Sequence, residues 1–252
     1  MLKLFKIDRE QEVINIGDTK IGGQIGENPT VLVGTIFYEG HKIVENQEKG
    51  IFDENKADEL INEMLGLSDI TGNPCMIQVF ALSNSAIERY LDFVSRFDRP
   101  ILVDSTEYKV RLHGIKYSEE IGLVDKVIYN SLSVSMNEEE INTLKESDIE
   151  SSILLAFNPM DSSVRGKINL LENGAGILKE GLLNVGRECF SKILIDTAVT
   201  PFGEGASHAM RCVLVSKSRF GLPTGNGIHN AVSAWKWIRE RRKKDVMAYR
   251  AC

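Results

Sequence analysis

Short β-branched and aliphatic runs alternate along the chain with longer stretches whose apolar residues recur every three or four positions. The runs are "TVLVGTIFY" (residues 30–38), "CMIQVFA" (75–81), "PILVDST" (100–106), "KVIYNSLS" (126–133), "SSILLAFNP" (151–159), "KILIDTAVTP" (192–201) and "GLPTGNGIHN" (221–230). Several are apolar almost throughout, as expected of parallel strands buried on both faces. The helical patterns cover residues 53–69, 83–97, 106–122, 137–148, 206–221 and 231–244. The first places Ala57, Leu60, Ile61, Met64 and Leu65 on one face. The second opens on Ser and Asn caps, the third ends at Gly122, and the fourth packs its acids into a first turn favoured by the helix dipole.

Strand followed by helix, repeated, implies right-handed βαβ units and a parallel sheet. The strand ends fall at Tyr38, Phe80, Asp104, Asn130, Asn158, Asp196 and Asn230, spaced 24 to 42 residues apart, one βα unit each. Seven units approach the eight of a (β/α)8 TIM barrel. A doubly wound sheet is the competing fold. The barrel is preferred because polar residues recur at nearly every strand end, whereas an open sheet would gather them at one switch point. The eighth βα unit is missing from the pattern. After the seventh helix only "DVMAYRAC" follows, so the expectation is a chain lacking its C-terminal unit, the other reading being an open barrel whose gap a partner covers. No low-complexity linker interrupts residues 1–252, which read as one domain, with "INIGDTKIGGQIGENP" in a short hairpin lid (about residues 1–29) over the barrel bottom.

Composition narrows the class further. The chain of 252 residues has a net charge of -6, which argues against a mainly electrostatic nucleic-acid binder. "RERRKK" reads as the polar face and end of a helix. No run of 18 apolar residues and no signal-sequence core are visible, so a cytoplasmic protein is expected. Cys75, Cys189, Cys212 and Cys252 are too widely spaced for a zinc ribbon or a redox pair, and buried free thiols are expected.

The candidate chemistry sits at the strand ends: Asp104-Ser105-Thr106, Asn130-Ser131, Asn158-Pro159, Asp196-Thr197 and His229-Asn230. Carboxylates and carboxamides dominate, without a His/Cys metal cluster, a Schiff-base Lys or a G-x-S-x-G elbow. Such groups match a heterocycle with alternating N–H, NH2 and C=O positions. Structural roles stay open: Asp104 and Asp196 as helix N-caps, Asn130 and Asn158 as turn formers. His41, His113 and His208 read as structural or exposed, and Trp235 and Trp237 as core packing. Gly225-x-Gly227-x-x-Asn230 falls one residue short of a dinucleotide fingerprint and comes too late in the chain to be one. "GEGAS" lacks the ending of a phosphate loop.

Taken together, "GQIGENPTVLVGTIFYEGHKIV", "KGIFD", "DITGNP", "VDST", "VIYNS", "LLAFNPMD", "IDTAVTPFGEGA" and "GLPTGNGIHNAVSAW" resemble the MtrH family, which supplies one component of the tetrahydromethanopterin S-methyltransferases of methanogenic archaea and is one branch of the pterin:corrinoid methyltransferases. The resemblance runs in order from about residue 5 to residue 237. It implies a pterin-binding barrel, usually a homodimer, that moves a methyl group between methyl-tetrahydromethanopterin (or, alternatively, methyl-tetrahydrofolate) and the cobalt(I) of a corrinoid carried by a partner protein. It further implies other methyltransferase subunits as partners, no nucleic acid, and a cytoplasmic location with membrane association only through a complex. Carried over onto this sequence, the pterin-binding positions are Asp104, Asn130 with Ser131, Asn158 and Asp196. The Asn that contacts the methyl-bearing nitrogen is Asn230, with Asn226 as fallback, and Asn230 and Asp196 are the catalytic pair. A dihydropteroate-synthase-like enzyme would need a phosphate-anchoring Lys or Arg near the last strands, and none stands out. A non-catalytic pterin-binding protein within a methyltransferase complex is the alternative from outside enzyme chemistry.

Overall fold

The computed structural model describes residues 6–242 and residue 245. Its elements, in chain order, are β1 (Val13–Ile16), β2 (Thr19–Gly22), β3 (Leu32–Ile36), β4 (Val44–Asn46), β5 (Ile51–Phe52), α1 (Glu54–Thr71), β6 (Cys75–Phe80), α2 (Asn84–Val94), β7 (Ile101–Asp104), α3 (Tyr108–Glu120), β8 (Val127–Leu132), α4 (Glu138–Lys145), β9 (Ser151–Leu155), α5 (Val164–Asn173), α6 (Leu182–Cys189), β10 (Lys192–Asp196), α7 (Ala206–Phe220), β11 (Thr224–Gly225), α8 (His229–Ser233) and α9 (Lys236–Arg242). Seven strands form one parallel sheet in the order β11-β10-β9-β8-β7-β6-β3. The order follows the chain without a switch point, so the fold is an α/β half-barrel of the TIM-like kind rather than a doubly wound sheet. An eighth strand is absent among the described residues, and residues 246–252, part of the "DVMAYRAC" segment, lie outside them.

Side chains alternate across a strand, so each strand splits its residues between two environments. Ile77, Val79, Ile101, Val103, Val127, Tyr129, Leu154, Ile193 and Ile195 face the helices and join the main core with Ile87, Leu91, Ile115, Leu144 and Leu171. Met76, Leu102 and Ile128 face the concave side instead, where they pack on Ile16 and Ile21 of the β1–β2 hairpin, with Ile153 and Leu194 against the same cluster. The hairpin lies at the N-terminal ends of the strands: Gly17 N–H donates to the Asp125 carbonyl at 2.9 Å and Glu12 N–H to the Gly221 carbonyl at 2.7 Å. The concave side therefore has an apolar floor, and only its C-terminal end is left for polar groups.

Local chemistry fixes the helix ends. Asp53 accepts from the Lys56 N–H to start α1, and Gly72, at φ 71, closes it in the left-handed conformation that glycine adopts without a Cβ clash. Ser83 caps α2 through the Ala86 N–H at 3.1 Å. Gly166 lies where a Cβ would stand 2.2 Å from the Asp161 carbonyl oxygen, so the first turn of α5 can press against the loop before it.

Several expectations need correction. Helices α5 and α6 and the β4–β5 hairpin fall in segments for which no element was expected. The last strand is two residues long, not ten. It pairs only as Ile195↔Thr224 and Asp196↔Gly225, after which the chain leaves the ladder and enters α8, so His229 and Asn230 open a helix rather than end a strand. Strand β3 ends at Ile36, and Phe37 turns the chain away at φ 66. Tyr38 then stacks on His41, their ring centroids 4.3 Å apart. Trp237 is 51% exposed, not core: Ile238 is the buried residue of α9, and the Trp237 ring rests on Trp235, their centroids 4.9 Å apart. Cys75 and Cys212 are buried free thiols, Cys189 is half-buried, and Cys252 lies outside the described residues.

Candidate active site at the C-terminal ends of the strands

The polar row follows from the alternation that makes the floor. Two residues beyond Met76, Leu102, Ile128 and Leu194 on the same faces come Gln78, Asp104, Asn130 and Asp196. One layer of the half-barrel is thus apolar, and the next carries amide and carboxyl groups on four strands, with Leu155 of β9 in register beside Asp196 and Thr35 of β3 beside Gln78.

Asp104 is held from the neighbouring strand: Gln78 Nε2 donates to its Oδ2 at 2.6 Å. Burial pushes the Asp104 carboxyl up to about 6, opposed by that hydrogen bond, by the charge of Arg111 and by the Ser105 N–H. Arg111 is buried behind it. Its Nη1 donates to the Ser105 carbonyl at 2.7 Å, its Nε to the Tyr129 hydroxyl at 2.9 Å and its Nη2 to Glu140 Oε1 at 3.0 Å. Tyr129 also donates to Glu140 Oε1. Glu140, expected merely to complement a helix dipole, is a buried counter-charge.

Asp196 is held differently. Its Oδ1 accepts from the Ala198 N–H at 2.7 Å, closing a short turn in which Ala198 takes φ 53. A left-handed non-glycine residue costs about 1 kcal/mol and persists where the surroundings over-determine it. Burial raises the Asp196 carboxyl, while the Ala198 N–H and the charges of Lys167 and His229 pull it back. Neither aspartate caps a helix: Glu107 and Gly205 occupy the positions before α3 and α7.

The remaining positions divide. Asn130 lies on β8 beside Asp104 in register, and the Asn130–Ser131 bond is cis. Asn158 is 4% exposed, and its carboxamide is committed to its own loop. Its Nδ2 donates to the Gly166 carbonyl at 3.0 Å, and its Oδ1 accepts from the N–H groups of Met160 and Asp161 at 2.9 and 3.1 Å. Asn158 therefore shapes the loop at the rim. Asn226 Nδ2 rests 3.6 Å from Met210 Sδ. Asn230 is exposed on the first turn of α8, beside His229, whose charge reaches Asp196. Around this mouth, Tyr38, Phe157, Met160, Phe202 and Ile228 are exposed apolar groups that follow strand ends.

Gln78, Arg111 and Lys167 escaped the sequence reading. A lone Gln inside "CMIQVFA" was the available signal for the first. Nothing local marked Arg111 or Lys167, which sit on helices and become site residues only through packing.

The family model described as "Tetrahydromethanopterin S-methyltransferase MtrH subunit" matches residues 9–251. The chain belongs to the MtrH family. It is 48% identical over 251 residues to the corresponding subunit of the tetrahydromethanopterin S-methyltransferase of Methanothermobacter thermautotrophicus, covering 99% of this chain and 81% of that protein. The counterpart from the tetrahydromethanopterin S-methyltransferase of Methanocaldococcus jannaschii is 50% identical over 243 residues, covering 96% of this chain and 76% of the relative. A Methanosarcina barkeri protein, named as the same-lettered subunit of a methyltransferase mtx, is 49% identical over 251 residues, covering 99% of this chain and 81% of that one. MtrH is a methyltransferase family, and the polar row lies where TIM-like barrels carry their chemistry. Among the described residues, no helix is long and apolar enough to cross a membrane, and no group of three His, Cys, Asp or Glu could hold a metal ion.

Proposed function

We propose that the mouth of the half-barrel binds the ring of methyl-tetrahydromethanopterin and that the methyl group leaves it for the cobalt of a corrinoid carried by another protein. The observation that carries this reading is the row Gln78, Asp104, Asn130 and Asp196, raised one layer above an apolar floor in a member of a methyltransferase family. A flat heterocycle lying on such a floor meets carboxyl acceptors for its amino and ring N–H groups and carboxamides for its carbonyl and N–H edges. The aspartates orient the ring, which brings the reacting carbon into line. Ser131, next to Asn130, and Asn226 flank the ring. Asn158 contributes by holding the 158–166 loop.

As cobalt(I) takes the methyl group and becomes methyl-cobalt(III), the bonding pair stays on the ring nitrogen, which takes up a proton from solvent. Asn230, next to His229 whose charge acts on Asp196, supplies a carboxamide to that nitrogen, an interaction that strengthens as the bond breaks. The cobalt enters as a co-substrate on its own protein. The exposed Tyr38, Phe157, Met160, Phe202 and Ile228 rim supports a protein partner at the mouth, as do the relatives' names, which make each of them one subunit of a larger assembly.

The test is methyl transfer from methyl-tetrahydromethanopterin to free cob(I)alamin, followed by visible absorption. The unmodified chain is expected to turn over, and Asn230→Ala to lose roughly 100- to 1000-fold in kcat with little change in KM. Full turnover by Asn230→Ala would remove Asn230 from the mechanism. Pterin binding without turnover by the unmodified chain would leave a binding protein.

A further inference from the structure

Lys167 is 1% exposed, although it lies on a surface helix. Its chain runs inward from α5 to the turn after β10, where Nζ donates to the Ala198 carbonyl at 3.0 Å. The same residue, Ala198, gives its N–H to Asp196 Oδ1 at 2.7 Å and holds φ 53. Both ends of the Ala198 residue are therefore fixed, one by the lysine and one by the aspartate. An ammonium has three donors, and the Ala198 carbonyl takes one.

Carboxylates define the rest of its surroundings. Asp196 from β10 and Asp161 from the loop before α5 act on Lys167 by charge, and the Cys212 thiol of α7, kept neutral by burial, lies near it. Asp196 in turn faces Lys167 and, from α8, His229. Burial pulls the Lys167 ammonium below its ordinary range, and these acids oppose that. A full lysine side chain buried without such company would be costly.

We propose that Lys167 is a positioning residue of the methyl-transfer site: its buried ammonium clamps the Asp196–Ala198 turn and presents a positive charge to Asp196 from behind. The proposal rests on the reading that Asp196 binds the pterin. Lys167 touches no ligand itself. It sets the direction of the carboxyl and favours its ionised form, the form that accepts from ring N–H groups.

Lys167→Met keeps length and apolar volume and removes the charge. The Asp196 carboxyl, followed by carbon-13 NMR in ligand-free protein, is expected to titrate about one unit higher in the variant. Tetrahydromethanopterin affinity, by calorimetry, should fall about tenfold, because the Asp196 carboxyl loses both the turn that aims it and the charge that faces it. Lys167→Gln keeps a donor for Ala198 and should show the same titration shift with a smaller loss of affinity. A lowered melting temperature with an unmoved Asp196 titration would mark a purely structural lysine and overturn the proposal. Where the variants fail to fold, nitrogen-15 NMR of Nζ in the unmodified protein decides: an ammonium whose signal follows the Asp196 titration supports the clamp, and a neutral amine at pH 7 refutes it. Since the Asp196 titration needs no pterin, failure of this coupling and failure of pterin binding appear in different experiments.

Discussion

The two aspartates of the mouth are built alike and supported differently. Each sits at a strand end, each is raised by burial, and each has a buried cation that donates to a backbone carbonyl just beyond it, Arg111 to Ser105 and Lys167 to Ala198. Arg111 then goes on to an acid of its own, Glu140, with Tyr129 bridging. Lys167 makes no further hydrogen bond among the described residues, and the carboxylates that act on it by charge are Asp196 and Asp161. The Arg111 charge is shared between Glu140 and Asp104, and a neutral amide, Gln78, steadies Asp104 from the side. The Lys167 charge stays available to the site. One aspartate rests on a structural network, the other on an electrostatic partner.

The largest effect should come from breaking the first support. Arg111→Met leaves Glu140 buried without its counter-charge, held by Tyr129 alone, and is expected to cost about 3–5 kcal/mol in denaturant unfolding. Comparable stability in the variant would mean the network is not what holds the β7–β8 end. A smaller effect of opposite sign is expected at Asp104. Its folded carboxyl is raised from the usual 4 or so to about 6, so the neutral acid is the form the fold favours. That contribution is full below about pH 4 and lost as pH climbs through about 6. At pH 8 Asp104→Asn, which keeps an acceptor for Gln78, should therefore be more stable by about 1–2 kcal/mol, discounted for partial exposure, while binding pterin less well. A destabilised Asp104→Asn at that pH would contradict the burial argument. The smallest effect on binding belongs to Asn158→Ala: about 1–3 kcal/mol lost in stability, with pterin affinity within about twofold. A larger change in affinity would return Asn158 to the ligand.

Much of this was legible in the chain. Apolar runs ending in Asp or Asn give parallel strands with polar ends, and period-two alternation in "ILVD" and "KILID" places the aspartates on the same side as Leu102 and Leu194. What was not legible depends on distant packing. Lys167 lies in a segment where no helix was expected and gains a role only when α5 brings its Nζ to the turn after β10, and Arg111 and Glu140, 29 residues apart, meet only when α3 and α4 are side by side. The last strand was overread because "GLPTGNGIHN" carries strand-like spacing, although its ladder stops at Gly225 for want of further pairing with β10. The helices α5 and α6 were missed in a segment rich in Gly and Asn, where short length hides the period.

The central claim is that Asp104 and Asp196 together hold a pterin ring above the apolar floor. Calorimetric titration of tetrahydromethanopterin into the unmodified chain and into the Asp104→Asn/Asp196→Asn double variant, from pH 5 to 8, tests it most directly. The account predicts one ring bound per chain, an affinity that falls as the solution is acidified through about pH 6 because the Asp104 carboxyl takes up a proton, and a loss of roughly 100-fold or more in the double variant. Equal affinity in the two proteins, without an acid limb in either, would contradict it.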